Sequence, residues 1–220
     1  AGNTSTVSSP TNVTTLSGGG SGSGTELFIS EYVEGSSNNK AIEIANITGS
    51  IVDLSIYSLK RNTNGGTTWG ATLNLVGQVI DGDVFVVANS SSTAAILNVA
   101  DLTSSADAII FNGNDPVGLF KNNVFIDIVG SFNNGTANFA KDVTLRRIQT
   151  VTSPSSTYNS AEWDSFTIDT FDGLGTHTTS GGGGGTTDTQ APTAPTNVTA
   201  SVITETTLTL NWTASTDNVG

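Results

Sequence analysis

Short β-rich runs recur along this chain from Glu26 to Asp169, each closed by a turn rich in Asn, Gly or Asp. That rhythm restricts the fold more than any other feature. The runs are "ELFISEYV", "AIEIAN", "LSIYSLKR", "ATLNLVG", "DVFVVAN", "DAIIFNG", "PVGLFKN", "NVFIDIVG", "VTLRRIQT" and "WDSFTID". Turn chemistry falls between them at Asn64, Asp81, Asn112, Lys121 and Asn133. "PVGLFKNNVFIDIVG" reads as a tight hairpin around Asn122–Asn123, because Asn tolerates the positive φ such turns need. Only "SSTAAILNVADL" suggests a helix, with Ser91 or Ser92 as its cap. About ten short strands with polar turns predict an all-β domain, a two-sheet sandwich or a barrel. In "LSIYSLKR" both alternating faces carry apolar residues, so its register stays open.

The patterning is bounded by two tethers. Residues 1–24 are rich in Ser, Thr, Gly and Asn and read as a flexible linker; 177–190 contain a run of five glycines and read as a second. The β-rich domain is assigned to 25–176 and a different segment to 191–220. In that last segment "TLTLNWTA" sets Leu208, Leu210 and Trp212 on one face of a strand. The chain opens and stops in mid-pattern, as expected of a piece of a longer protein.

Charge narrows the partners. The formal net charge is -12, which repels phosphate backbones and anionic lipid. Nucleic acid is therefore not expected as a partner of this module alone. The basic pairs Lys60–Arg61 and Arg146–Arg147 read as solvated strand ends rather than a binding stripe. No apolar run reaches the length of a membrane span, so no membrane insertion is expected. The chain has no Cys, which excludes disulfides and thiolate zinc.

No catalytic motif of known geometry occurs. The one histidine, His177, stands beside the second tether and reads as ordinary surface, so no catalytic residue and no cofactor are assigned. Two turns offer hard oxygens for calcium: Asp81 with Asp83, and Asn112, Asn114 and Asp115. Neither has the full alternating acidic loop, and both stand where a turn is needed anyway. Glu31, Glu34 and Glu43 cluster in "EYVEGSSNNKAIEI". Strict alternation puts Glu31 on the Leu27–Ile29–Val33 face, where a carboxylate must find a partner. Lys40 and the amides of Asn38 and Asn39 are the expected partners, making a structural brace. A raised-pKa acid of a glycosidase type is the functional alternative.

The strings "LFISEYVEGSSNNKAIEIAN", "VDLSIYSLKR", "GDVFVVANSS", "IIFNGNDPVGLFKNN", "FIDIVG" and "EWDSFTIDTFDGLGTH" resemble the lamin-tail domain as it occurs in bacteria. The resemblance runs from Thr25 to Thr176 and implies an immunoglobulin-like β-sandwich. Ala45 departs from it, standing where an aromatic is common, which is expected to loosen packing there. The stretch "APTAPTNVTAS…TLNWTASTDNVG" resembles the first two strands of a fibronectin type III domain, with Trp212 at the core tryptophan position. Two strands of seven cannot close a core, so an exposed apolar face is expected. The order of tether, lamin-tail, tether and fibronectin resembles secreted Bacteroidetes-type multidomain proteins, in which such modules sit beside nucleases, phosphoesterases or other hydrolases. The resemblance implies an extracellular or cell-surface, non-catalytic interaction or spacer module. Its partners would be the neighbouring domains of the parent chain and an extracellular ligand. A calcium-stabilised adhesion module and a carboxylate-based hydrolase are the alternatives.

Overall fold

The first long strand, β1 (Phe28–Glu34), shows how the sheet is built, because it does not alternate strictly. It pairs antiparallel with β2 (Lys40–Ala45), and the register slips between Ile29 and Glu31. Ser30 is the extra residue of a β-bulge, which bends the strand and re-aims the side chains after it. Leu27, Ile29 and Tyr32 consequently join one apolar cluster, while Phe28 and Val33 join another. Glu31 therefore lies on the side of Val33, opposite the face that strict alternation gives it with Ile29.

The computed structural model describes residues 24–179, 193–201, 206–207 and 209–213. The chain divides into two units, Ala1–Gly183 and Gly184–Gly220. Most of the two segments expected to be linkers, 1–24 and 177–190, lies outside the described residues. In the first unit β3 (Val52–Asp53), β4 (Tyr57–Arg61), β5 (Leu73–Asn74), β6 (Gln78–Val79) and β7 (Val84–Asn89) follow β2. Then come α1 (Ala94–Leu97), β8 (Leu102–Ser104), β9 (Val117–Lys121), β10 (Val124–Val129), β11 (Val143–Arg147) and β12 (Trp163–Thr167). One sheet has the order β12-β11-β1-β2-β7-β8 and the other β10-β9-β4-β5; β3 and β6 form a separate pair. Only β7 and β8 run parallel among these ladders. The unit is an all-β, immunoglobulin-like sandwich.

The main core lies between the two sheets. Ile29, Tyr32, Ile42, Ile44, Phe85 and Val87 come from the larger sheet, and Tyr57, Leu59, Val117, Leu119 and Val129 from the smaller. The ambiguous "LSIYSLKR" run resolves: Leu54–Ile56 makes a single 3-10 turn and β4 starts at Tyr57, turning Tyr57 and Leu59 inward. Tyr32 stacks on Phe111 at 4.5 Å between ring centres, and its hydroxyl donates to Asn112 O. The run "DAIIFNG" is not a strand. Asp107–Ile109 forms a 3-10 turn that buries Ala108 and Ile109 while Asp107 reaches Arg61.

The Asn122–Asn123 hairpin forms as expected, with φ of 49° and 63° and Lys121 paired to Val124. The helix shrinks to α1, capped at Thr93; Ser92 instead donates its hydroxyl to Asn38 O. Ala45 lies opposite Phe28 and is buried, so the aromatic comes from the neighbouring strand.

In the second unit β13 (Thr196–Ser201) pairs antiparallel with β14 (Thr209–Thr213). Val198, Leu210 and Trp212 are 60%, 51% and 58% exposed, an apolar face without a second layer among the described residues. Leu208 lies outside them.

Candidate functional site

Charged groups concentrate on the outer face of the larger sheet. Register places Glu31 of β1 directly opposite Glu43 of β2 on one side and Arg146 of β11 on the other; Arg146 in turn faces Asp164 of β12. Glu31 and Glu43 are 2% and 1% exposed. Arg146 Nε donates to Glu31 Oε2 at 3.0 Å, and its Nη2 contacts Asp172. Glu43 accepts from the Ser30 hydroxyl and from Gly175 N–H, both at 2.7 Å. Glu31 Oε1 is buried and has no hydrogen-bond partner.

Burial dominates the acidity of this pair. It lifts Glu31 to about 7 against the pull of Arg146, and Glu43 to about 8, where Ser30 and Gly175 offset it in part. His177 packs edge-on to Phe28 at 5.5 Å, and burial lowers it to about 4. It is thus not ordinary surface: its Nε2 is buried without a partner. A cavity of about 270 Å³ adjoins this region, lined by Glu31, Arg146, Gln149, Asp164, Phe166 and His177 among others.

The expected brace is rearranged. Lys40 does not reach Glu31; it pairs with Glu34 at 2.9 Å and donates to Gly35 O. The bulge explains the change, since it puts Glu31 next to Arg146 and leaves Glu34 opposite Lys40 at the end of the hairpin. Asn39 ties the hairpin to two other segments: its Nδ2 donates to Asp169, and its Oδ1 accepts from Thr93 N. Asn38 contributes its backbone carbonyl rather than its amide. A second cavity, of about 260 Å³, lies at this end beside Glu34, Lys40, Asn89, Asn112 and Asp142.

The calcium candidates have internal partners. Asp115 is 1% exposed and accepts from Arg61, Asn64 N and Asn112 N. A cation there would face the Arg61 guanidinium. Asn112 Oδ1 accepts from Asn114 N, a local Asx turn. Asp81 accepts from Gly49 N and Asp83 from Val84 N. Among the described residues no group of three or more His, Cys, Asp or Glu is placed to hold a metal ion.

The basic pairs are not solvated strand ends. Arg147 is 3% exposed and its Nη2 lies 2.7 and 2.8 Å from the two oxygens of Asp127 in β10. It also reaches Glu162 and packs 4.4 Å over the Trp163 ring. Asp127 accepts from Ile29 N and Ser155 N as well, so this ion pair joins β1, β10 and β11. Arg61 pairs with Asp107 and Asp115. Sequence reasoning missed both ties. The signal was present: adjacent residues of a strand point to opposite faces, so one of two neighbouring arginines in a two-layer fold must face inward.

A family model described as the Lamin Tail Domain matches residues 21–133, just over half of the chain. The chain belongs to the lamin tail domain family. The matched part of this lamin tail domain holds β1 to β10, while β11 and β12, which complete the larger sheet, lie beyond it. A stretch of 33 residues is 67% identical to Chitinase A1 of Niallia circulans, covering 15% of this chain and 5% of that protein. The chain thus spans only a small part of that relative. No solved structure matches.

Proposed function

We propose that the chain is a non-catalytic interaction and spacer module of a larger secreted protein, joined to a fibronectin type III module and serving a hydrolase elsewhere in the parent chain. One observation carries this reading. The acidic groups of the sandwich that the sequence singles out are engaged by partners within the fold: Glu34 by Lys40, Asp115 by Arg61, Glu31 by Arg146, and Glu43 by Ser30 and Gly175. Carboxylates so engaged tie segments of the fold together; the raised pKa of Glu31 and Glu43 is the one feature shared with a carboxylate site, and the test below is aimed at those two residues. The stretch shared with a chitinase and the two-stranded β13–β14 unit support the fibronectin-type neighbour and an extracellular setting. The neighbouring domains of the parent chain and an extracellular ligand are the proposed partners.

The test is enzymatic. Purified chain is incubated with phosphodiester, phosphomonoester and glycoside substrates. No turnover above buffer is expected. Hydrolysis that Glu31→Gln or Glu43→Gln abolishes would overturn the reading in favour of a carboxylate site.

A further inference from the structure

The outer face of the larger sheet has a cover of its own, the segment Asp169–His177 that follows β12. It is tied down at several points. Asp169 accepts from Ser36 and Asn39 in the β1–β2 hairpin, and Thr170 O accepts from the Thr144 hydroxyl. Leu174 is buried in the apolar cluster with Phe28, Val33 and Val86. Gly175 donates to Glu43, and His177 packs on Phe28. The backbone of Gly173 lies on the Glu31–Arg146 pair so closely that a Cβ there would overlap Arg146 Nε and Glu31 Oε2.

We propose that this segment is a pH-gated strap, held on the sheet while the Glu31–Glu43 pair keeps its protons and released over Gly173–His177 when both carboxylates ionise. The geometry makes the case. Two carboxylates stand in register on neighbouring strands, both buried, and one oxygen of Glu31 has no partner. Like charges directly opposite each other in a sheet are unfavourable, and more so without water.

The groups around them do not neutralise two anions. From β11 comes Arg146, already shared with Asp172 of the strap. From β12 comes Asp164, a further acid opposite Arg146. From β7 comes Val86, opposite Glu43, whose N–H is held by Asp101. Lys40 of β2 is paired with Glu34, and Arg147 with Asp127 and Glu162. The strap itself adds two further acids, Asp169, held by Ser36 and Asn39, and Asp172, and a His177 that burial keeps neutral. Ser30 and Gly175 favour the anion of Glu43, but burial outweighs them. Rehydrating the pair requires the strap to lift, at the cost of uncovering Leu174.

The sign follows from proton linkage. Both closed-state pKa values, about 7 and about 8, lie above the ordinary glutamate value of 4.5, so the closed strap binds more protons than the open one. Closure is fully favoured below the free value and weakens as pH rises through 7 to 8.

Amide exchange on the whole chain at pH 6 and pH 9, corrected for the intrinsic pH dependence of exchange, tests this. Protection at Gly175 and Thr176 should fall at least tenfold, while Ile42 and Ile44 stay protected. Glu43→Gln, neutral at every pH, should keep the strap protected at pH 9. Unchanged strap protection in the natural chain, or an equal fall in Glu43→Gln, overturns the proposal. Should Glu43→Gln fail to fold, Glu31→Gln and the natural chain's own profile decide, a flat profile counting against it.

Discussion

Replacing Asp127 by Asn tests whether the buried ion pair between the sheets holds the sandwich together. Asp127 is fully buried and receives four hydrogen bonds: two from Arg147 Nη2 at 2.7 and 2.8 Å, one from Ile29 N at 2.7 Å and one from Ser155 N at 2.9 Å. The amide keeps the shape but removes the charge, and its NH₂ cannot accept from a backbone N–H. Arg147, 3% exposed, is left with the Ile29 carbonyl and a single counter-charge, Glu162, whose side chain is 28% exposed. Breaking a buried pair by removing one partner costs about 3–5 kcal/mol. An orphaned backbone donor costs about 1–3 kcal/mol, partly counted already in that range. The expected loss is therefore about 4 kcal/mol, a large share of the ~5–15 kcal/mol that typical domains have.

The companion change, Arg147→Met, leaves Asp127 with its two backbone donors, and the carboxyl escapes part of its penalty by taking a proton. Burial already raises its pKa. About 3 kcal/mol is expected, including about 1 kcal/mol for the lost stacking on Trp163. Asp127→Asn with Arg147→Met removes both charges, and the double variant should recover at least about 2 kcal/mol relative to the sum of the singles. Urea unfolding of the whole chain, followed by tryptophan fluorescence, reads these losses. At about 2 kcal/mol per molar urea, Asp127→Asn should lower the midpoint by about 2 M. Single-variant losses under about 1 kcal/mol that simply add would refute the reasoning, because a buried unpaired charge cannot be that cheap.

Gly118→Ala should destabilise by about 1–3 kcal/mol, since its Cβ would lie 2.7 Å from the Trp69 ring and 3.1 Å from Phe120 and Phe125; thermal melting measures it. Millimolar calcium should leave the melting temperature unchanged, because Asp115 is held by Arg61 and two backbone donors; an upward shift would show a folded-state site. His177, lowered from 6.5 to about 4 in the fold, contributes stability present above pH 6.5 and lost as pH falls toward 4. Replacing it with Asn should remove that acid-side loss from a pH series of urea midpoints.

Much of the sandwich was legible because its signals are local. Alternation in "AIEIAN" and the continuous apolar run in "DVFVVAN" mark strands that are buried along their length, and the paired Asn122–Asn123 marks a hairpin. The misreadings share one cause. Glu31 was placed on the Ile29 face by counting in twos, and a bulge is a one-residue insertion that no propensity marks in "FISEYV". The run "DAIIFNG" has strand composition, yet its apolar residues fill a core edge from a 3-10 turn pinned by Arg61 to Asp107. Burial was legible there; backbone conformation was not.

The candidate site was legible in its members and not in its pairing. Glu31 and Lys40 were singled out correctly as residues needing partners, but an ion pair is chosen by register, and register is long-range. With 7 basic residues against 19 acidic ones, every buried cation in this chain constrains where carboxylates can be neutralised. Arg147 goes inward to Asp127 and Arg146 outward to Glu31 because neighbouring residues of β11 face opposite ways. Arg146 then has to serve both Glu31 and Asp172, which leaves Glu43 with hydrogen bonds but no counter-charge. Burial raises the pKa of both carboxylates, and in a chain this poor in cations nothing beyond Arg146 offsets it. Adding a second cation beside Glu43 would lower both carboxylates toward their ordinary values and remove the pH response of the strap.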